Sequence, residues 1–145
     1  MQPGIDYPGI SLVFFCHDGK GKFLLSKRSQ NCRDEHGTWD PGGGALEKGD
    51  NVEERLAQEI KEEYCTKILK QEFLGYIDIH REHEGEPTHW IGLFFKVLVD
   101  RSIVKNGEPR KFDKIGWFRL DDLPDPLHSQ FPAALEKFGE KLEQI

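Results

Sequence analysis

Residues 44–66 read GALEKGDNVEERLAQEIKEEYCT, so that a glycine loop is followed by a segment rich in glutamate. The segment predicts a helix from about Asn51 to Tyr64, because its apolar residues recur every four positions. These residues are Val52, Leu56 and Ile60. Asp50 is a good N-cap for the helix, and Glu53 stands in the capping-box position. The stretch therefore predicts a loop joined to an amphipathic helix.

Three glutamates of this helix lie close to its apolar stripe. With roughly 100° of rotation per residue, Glu63 falls inside the apolar arc, and Glu59 and Glu62 flank it. A solvated acidic face is the ordinary alternative, but such a face would place the acids opposite the stripe. Burying even one unpaired carboxylate costs on the order of several kcal/mol, and a divalent cation removes that cost. The hard oxygen donors favour Mg²⁺ or Mn²⁺.

The helix is preceded by Pro41-Gly42-Gly43-Gly44. This sequence predicts a loop rather than a strand or a helix. Its glycines would allow the main chain to approach closely, so that a carbonyl oxygen joins the metal and N–H groups meet phosphate. Taken alone, the glycines favour an ordinary tight turn.

The rest of the chain alternates between short apolar runs and polar turns. The predicted strands are Ile10–Cys16, Lys22–Lys27, Lys70–Ile79, Thr88–Val99 and Ile115–Leu120. We also predict a hairpin turn at His17–Gly21, a polar loop at His80–Pro87 and a last helix at Pro132–Glu143. Because strands and helices intersperse without a strict βαβ rhythm, we expect an α/β fold with a mixed sheet packed between helices. The length fits a single domain over residues 1–145.

Composition narrows the functional classes. Acidic residues outnumber basic ones 26 to 20 and the formal charge is −6, which argues against binding a nucleic-acid polymer. A small polyphosphate can still bind through metal ions. No apolar run is long enough to cross a membrane, and no signal-peptide pattern opens the chain. Three cysteines without paired spacing suit a reducing cytoplasm, which is the expected location.

Residues Gly44–Thr66 resemble the Nudix box of the MutT-like hydrolases, written G-x5-E-x7-R-E-U-x-E-E-x-G-U with U aliphatic. Gly44 and Asp50 take the first glycine and the first acid, and the E-U-x-E-E core is filled by Glu59, Ile60, Glu62 and Glu63. The flanks at residues 37–39 and 117–124 are also similar to the family. The resemblance implies an α/β/α sandwich around a central mixed sheet.

The box departs from the family pattern at four positions: Asp50, Gln58, Cys65 and Thr66. Gln58 replaces the arginine that steadies the neighbouring glutamate in the family. Arg55, one turn before Glu59 on the same side of the helix, is a candidate to compensate. Because Cys65 and Thr66 replace a glycine and an aliphatic residue, we expect the chain to leave the helix along a different path.

The resemblance implies a metal-dependent hydrolase of nucleoside diphosphates linked to another moiety. Glu59, Glu62 and Glu63 would hold Mg²⁺, with Mn²⁺ as an alternative and the Gly43 carbonyl oxygen as a further donor. Glu62 or Glu59 would be the general base. The leading hypothesis is a pyrophosphohydrolase of nucleoside triphosphates or modified nucleotides. The alternatives are an ADP-ribose, nucleotide-sugar or dinucleoside polyphosphate hydrolase, and a catalytically weak nucleotide sensor.

Further residues are candidates for contacts with this small-molecule substrate: Arg28, Gly44, Glu108 and Asp113. Arg28 could reach a phosphate or simply lie at an exposed strand end. The histidines between His80 and His89 could suggest zinc, but their spacing fits no compact ligand set, and a mobile lid or rim is the favoured interpretation. The large aromatic residues are more often core than base-stacking platforms, although one of them could stack on a nucleobase. A monomer and a homodimer both remain open.

Overall fold

The computed structural model describes residues 1–144, which form seven strands and two α-helices. The strands are β1 (Gly9–His17), β2 (Lys22–Arg28), β3 (Trp39–Asp40), β4 (Gly42–Leu46), β5 (Ile68–His83), β6 (Glu86–Val99) and β7 (Phe112–Arg119). The helices are α1 (Val52–Tyr64) and α2 (Phe131–Glu143), with a short 3₁₀ turn at Arg101–Ile103. Neither α-helix in this part of the chain is long and apolar enough to span a membrane.

The seven strands form one mixed sheet. Its order is β3-β2-β1-β6-β5, with β4 paired to β1 and β7 paired to β2. The pairing of β1 with β6 is parallel, and the other strand pairs are antiparallel. One core cluster packs α1 against one face of the sheet, and a second packs α2 against the other. The predicted α/β/α sandwich with a central mixed sheet is therefore confirmed.

Strand β1 supplies both cores, because successive side chains of a strand point to opposite faces. Leu12 and Phe14 belong to the cluster on the α1 side, whereas Phe15 belongs to the cluster on the α2 side. All three are buried. This central strand also pairs directly with β4, and that pairing places the glycines next to the helix that carries the glutamates.

The predicted loop at residues 41–44 is wrong, since Gly42–Leu46 is a strand. Gly43 pairs with Val13 of β1 in antiparallel register. The glycines are needed here for close approach rather than for a turn. A Cβ atom on Gly42 would overlap the Phe14 ring, and one on Gly44 would lie 2.5 Å from the carboxyl carbon of Glu59. Lack of side chains is therefore what lets this strand fit.

Both ends of α1 differ from prediction. Asn51, not Asp50, is the N-cap, and it makes no side-chain cap bond. The Asp50 carboxylate instead accepts the N–H of Glu47 at 2.8 Å and closes the preceding turn. At the other end Cys65 takes the left-handed conformation at φ 56° and donates its N–H to the Lys61 carbonyl oxygen. This is the helix ending that glycine usually makes, so the predicted change of path is wrong.

The predicted loop at His80–Pro87 is also wrong. Strand β5 continues to His83 and β6 begins at Glu86, so the two strands form one long hairpin. Its turn is Glu84-Gly85, with φ values of 53° and 81°. Two successive positive φ values are what a tight two-residue hairpin turn requires. The segment is polar because one face of the hairpin is exposed, not because its backbone is irregular.

Candidate active site

The glutamates of α1 divide between the core and the solvent. Glu59 and Glu63 are buried, with 7% and 6% of their surface exposed, whereas Glu62 is exposed. The helical angles correctly predict the first two positions and place Glu62 too close to the core. The Glu59 carboxylate lies so close to Gly44 that a Cβ atom at this position would force one of the two residues to shift. Helix α1 and strand β4 thus enclose two carboxylates between them.

Arg55 makes an ion pair with Glu59, the contact expected of a residue that compensates for the missing box arginine. Its Nη2 atom lies 2.7 Å from Oε1 of Glu59, one helical turn away. Its Nε atom is buried without a hydrogen-bond partner and lies 3.9 Å from Oδ2 of Asp50. Gln58 instead donates its side-chain amide to Glu62 at 2.9 Å. The guanidinium group that contacts Glu59 therefore comes from position 55, three residues before position 58, where the family pattern has its arginine.

Burial raises the pKa of Glu63 well above its ordinary value, and the neighbouring Glu59 raises it further. A backbone hydrogen bond from Gly43 opposes this rise. Burial also raises the pKa of Glu59, while the Arg55 charge lowers it. The two carboxyl groups interact directly, and in the absence of a cation each is harder to ionise than an ordinary glutamate. A cluster that resists carrying its full negative charge and offers only oxygen donors fits a hard divalent cation.

A cavity of about 560 Å³ lies next to β4, on the face of the sheet that α2 covers. Its walls are partly apolar, and include Phe15, Ile79, Trp90, Phe94 and Phe131. Charged side chains also line it: Arg28, Arg33, Asp34, Asp40, Arg81 and Lys111. Gly43 and Gly44 lie on its border, next to the glutamates. This volume and mixture of apolar and cationic surface suit a small ligand with an apolar part and an anionic part.

A family model described as the NUDIX domain matches residues 8–139, which is most of the chain. The chain belongs to the NUDIX family. It is therefore a Nudix hydrolase, an enzyme that acts on phosphorus-containing anhydrides.

Individual relatives agree with this assignment. The nucleoside triphosphatase NudI of Escherichia coli O139:H28 is 29% identical over 124 residues, which cover 81% of this chain and 84% of that protein. The structure of a MutT NUDIX hydrolase from Burkholderia pseudomallei has a TM-score of 0.79 at 28% identity, covering 91% of this chain and 98% of the other. The structure of a MutT protein from Methanosarcina mazei Go1 shares the fold, with a TM-score of 0.78 at 24% identity. The match covers 97% of this chain and 99% of that protein.

Two of the four residues predicted to contact substrate line the cavity described above, and two do not. Arg28 and Gly44 line it, whereas Glu108 and Asp113 are not among its lining residues in the described part of the chain. Asp113 is exposed on β7, and the Glu108 carbonyl oxygen accepts two N–H groups of the following turn. Arg28 is held by Asp34 and Asp40, each with an oxygen 3.3 Å from a guanidinium nitrogen.

Among the charged residues of the cavity, the sequence patterns did not single out Asp40, Arg81 and Lys111 as site residues. The Lys111 charge lowers the pKa of both Glu59 and Glu63, so it connects the cavity to the carboxylates. Arg81 could have been found by extending the alternation of β5, because it lies two residues beyond Ile79 on the same face. Asp40 and Lys111 carry no comparable signal, since each reaches the cavity only through long-range pairing.

Proposed function

We propose that this Nudix hydrolase is a Mg²⁺-dependent pyrophosphohydrolase of nucleoside triphosphates, releasing a nucleoside monophosphate and pyrophosphate. The observation that carries the proposal is the burial of Glu59 beside Gly44 and of Glu63 beside Gly43, since these two glycines border a cavity of nucleotide size. The choice of a triphosphate draws on the nucleoside triphosphatase NudI, which is 29% identical over 81% of the chain. Modified nucleotides belong to the same substrate class. We place this activity in the cytoplasm.

Mg²⁺ would be held by Glu59, Glu62 and Glu63, with the Gly43 carbonyl oxygen as a further donor; Mn²⁺ suits the same oxygen donors. When bound, the metal supplies charge neutralisation of the phosphates and a lowered pKa of water. The chain's own contribution begins with Arg55, which keeps Glu59 oriented and favours its ionised form. Gly44 contributes by leaving space for the carboxylate of Glu59.

The cavity would hold the rest of the nucleotide. Trp90 and Phe94 offer aromatic surface for the nucleobase, and Lys111 places a positive charge between the cavity and the glutamates. Arg28 is partly neutralised by two aspartates, so we assign it to orienting the substrate rather than to holding phosphate as a free cation. Asp40, next to Arg28, can offer a hydrogen-bonding group to the nucleobase edge.

We assign the general base to Glu62 rather than Glu59. Glu59 is buried and bonded to Arg55, so it has no direct route by which to pass a proton to solvent. Glu62 is exposed and bonded only through the Gln58 amide, so it can take a proton from the attacking water and pass it to solvent. In this step the water oxygen bonds to phosphorus, the anhydride P–O bond breaks, and pyrophosphate leaves.

The test is a substrate panel with purified protein and Mg²⁺. It would contain the ribo- and deoxyribonucleoside triphosphates together with ADP-ribose, a nucleotide sugar and a dinucleoside polyphosphate. We expect pyrophosphate release from a triphosphate, little activity without divalent cation, and a large fall in kcat in Glu62→Gln. Reaction in ¹⁸O water would show which phosphorus is attacked. Turnover confined to ADP-ribose or the other diphosphates would refute the triphosphate assignment, and full activity in Glu62→Gln would refute the assigned base.

Trp90→Ala tests the role of the cavity, as Glu62→Gln tests the role of the glutamates. Because Trp90 lines the cavity and lies outside the glutamate cluster, its loss should raise KM more than it lowers kcat. An unchanged KM for every triphosphate would place the nucleobase elsewhere. Together the two variants separate the chemistry at the glutamates from binding in the cavity.

A further inference from the structure

The outer face of the β5–β6 hairpin carries a cluster of side chains that the hydrolase reaction does not use. His80 of β5 and His89 of β6 are direct partners in the antiparallel register. Asp78 lies two residues before His80 and therefore on the same face. The potential ligand atoms of these three residues all lie within 4.8 Å of one another. The spacing along the sequence hides this set, because its members come from two strands joined by a turn.

The three side chains lie close together without an ion between them. The two imidazole rings stack with centroids 4.2 Å apart and an interplanar angle of 24°. An oxygen of Asp78 lies 3.0 Å from Nε2 of His89. In a tetrahedral zinc site, metal–ligand bonds of about 2.0–2.1 Å place neighbouring ligand atoms about 3.4 Å apart. Because the stacked rings are nearly parallel, both imidazoles would have to rotate about their side-chain bonds to aim a nitrogen at one ion.

We propose that Asp78, His80 and His89 form a second metal site, which binds Zn²⁺ with water in the remaining position. Its donors differ in kind from those of the catalytic cluster. Two imidazoles and one carboxylate suit zinc and similar borderline cations, whereas the oxygen-only set of α1 suits Mg²⁺. Imidazoles also bind metal only when neutral, and an ordinary histidine is neutral above about pH 6.5. The donor chemistry of this site therefore favours Zn²⁺ over the Mg²⁺ expected at the glutamates of α1.

The position of the site gives it a structural role. Side chains alternate along both strands, so the residues between and beside the ligands point to the opposite face. On that face Ile79, Thr88 and Trp90 line the substrate cavity. A zinc ion that joins His80 to His89 would thus clamp the two strands that form one wall of the cavity. Binding should slow local opening of this hairpin without supplying any group to the reaction.

The experiment titrates the intact protein with Zn²⁺ by calorimetry at pH 7.5, with Mg²⁺ in large excess to occupy the glutamates. Co²⁺ in a parallel titration reports imidazole coordination by its visible absorption. We expect one Zn²⁺ per chain, and at least about tenfold weaker binding in His80→Asn and in His89→Asn. His83→Asn is the matched control, because it removes a histidine from the same hairpin but from outside the ligand set, and it should bind Zn²⁺ normally.

Hydrogen exchange supplies the second measurement. Zn²⁺ should slow exchange of the β5–β6 amides in the wild-type chain and not in His80→Asn, while unperturbed circular dichroism shows that the variant is folded. The proposal is overturned if the wild-type chain shows no Zn²⁺ binding in excess Mg²⁺. It is equally overturned if both histidine variants bind Zn²⁺ as tightly as the wild type. Neither result bears on the nucleotide assay, which depends on other residues.

Discussion

Replacing Arg55 by methionine tests whether this residue does the work of the arginine absent from the Nudix box. The substitution keeps an apolar stem of similar length and removes the guanidinium group that contacts Glu59 at 2.7 Å. Both side chains are largely shielded from water, with 24% of Arg55 and 10% of Glu59 exposed. Solvent therefore cannot readily replace the lost hydrogen bond. We expect the folded chain to survive, because methionine keeps the packing of the apolar stem and removes an Nε–H that is buried without a partner.

The size of the effect follows from the type of contact. A hydrogen bond between charged groups contributes about 1.5–3 kcal/mol, which corresponds to roughly tenfold to 150-fold in a rate or binding constant. We expect kcat/KM to fall by that factor at limiting Mg²⁺. The loss should shrink at saturating Mg²⁺, because the metal also favours the ionised carboxylate. Since the Arg55 charge lowers the pKa of Glu59, its removal should also move the acidic limb of the pH–rate profile to higher pH.

The assay is steady-state hydrolysis of the best triphosphate across a Mg²⁺ series and a pH series. Lys61→Met is the matched control, because it removes the same charge from an exposed position on the same helix. Adding Gln58→Arg to Arg55→Met should restore part of the lost activity by returning arginine to its usual box position. The reasoning fails if Arg55→Met and Lys61→Met both keep kcat/KM within twofold of the wild type at every Mg²⁺ concentration.

Three further outcomes follow from the same site and its surroundings. Gly44→Ala places a Cβ atom 2.5 Å from the carboxyl carbon of Glu59, so this carboxylate must move by about 1 Å. In the hydrolysis assay, we expect kcat to be about 100-fold lower than that of the wild type. Gly139→Ala is its control: nothing lies within 4 Å of the new atom, and alanine in a helix should stabilise the fold by about 0.5–1 kcal/mol in urea unfolding, with unchanged kcat. In metal-free protein, the pKa of Glu63 is higher in the folded state than in the unfolded state, so the folded state binds a proton more tightly at this carboxyl group. The contribution of Glu63 to the free energy of unfolding is therefore greatest below pH 4.5, the ordinary pKa, and is lost as the pH rises through the pKa of Glu63 in the folded state. Thermal unfolding in chelator at pH 5 to 8 should show this decline in the wild type and a smaller one in Glu63→Gln, and parallel curves would contradict it.

Local periodicity determined much of this protein before any tertiary contact was known. The four-residue recurrence of apolar side chains predicted α1, and the helical angle of Glu63 predicted its burial. The position of Arg55 one turn before Glu59 predicted their contact. Each of these features depends on residues within one helix, where the backbone geometry is the same in any protein. For this reason the fold family and the glutamate cluster could be predicted from residues 44–66.

The remaining features of the site depend on contacts between residues that are distant in the sequence. The glycines at 42–44 predict a turn when they are considered alone, and they form a strand only because β1 and Glu59 fill the space that side chains would occupy. Lys111, which is distant in sequence, comes near enough to Glu63 for its charge to lower the pKa of that carboxyl group, and His80 faces His89 only once β5 and β6 pair in their register. Register depends on how all the strands pack together, and a one-residue slip reverses which face a side chain takes. Residues close together in the sequence thus determine the glutamate helix and indicate the family, whereas the cavity and the Asp78–His80–His89 cluster depend on strand pairing in the folded protein.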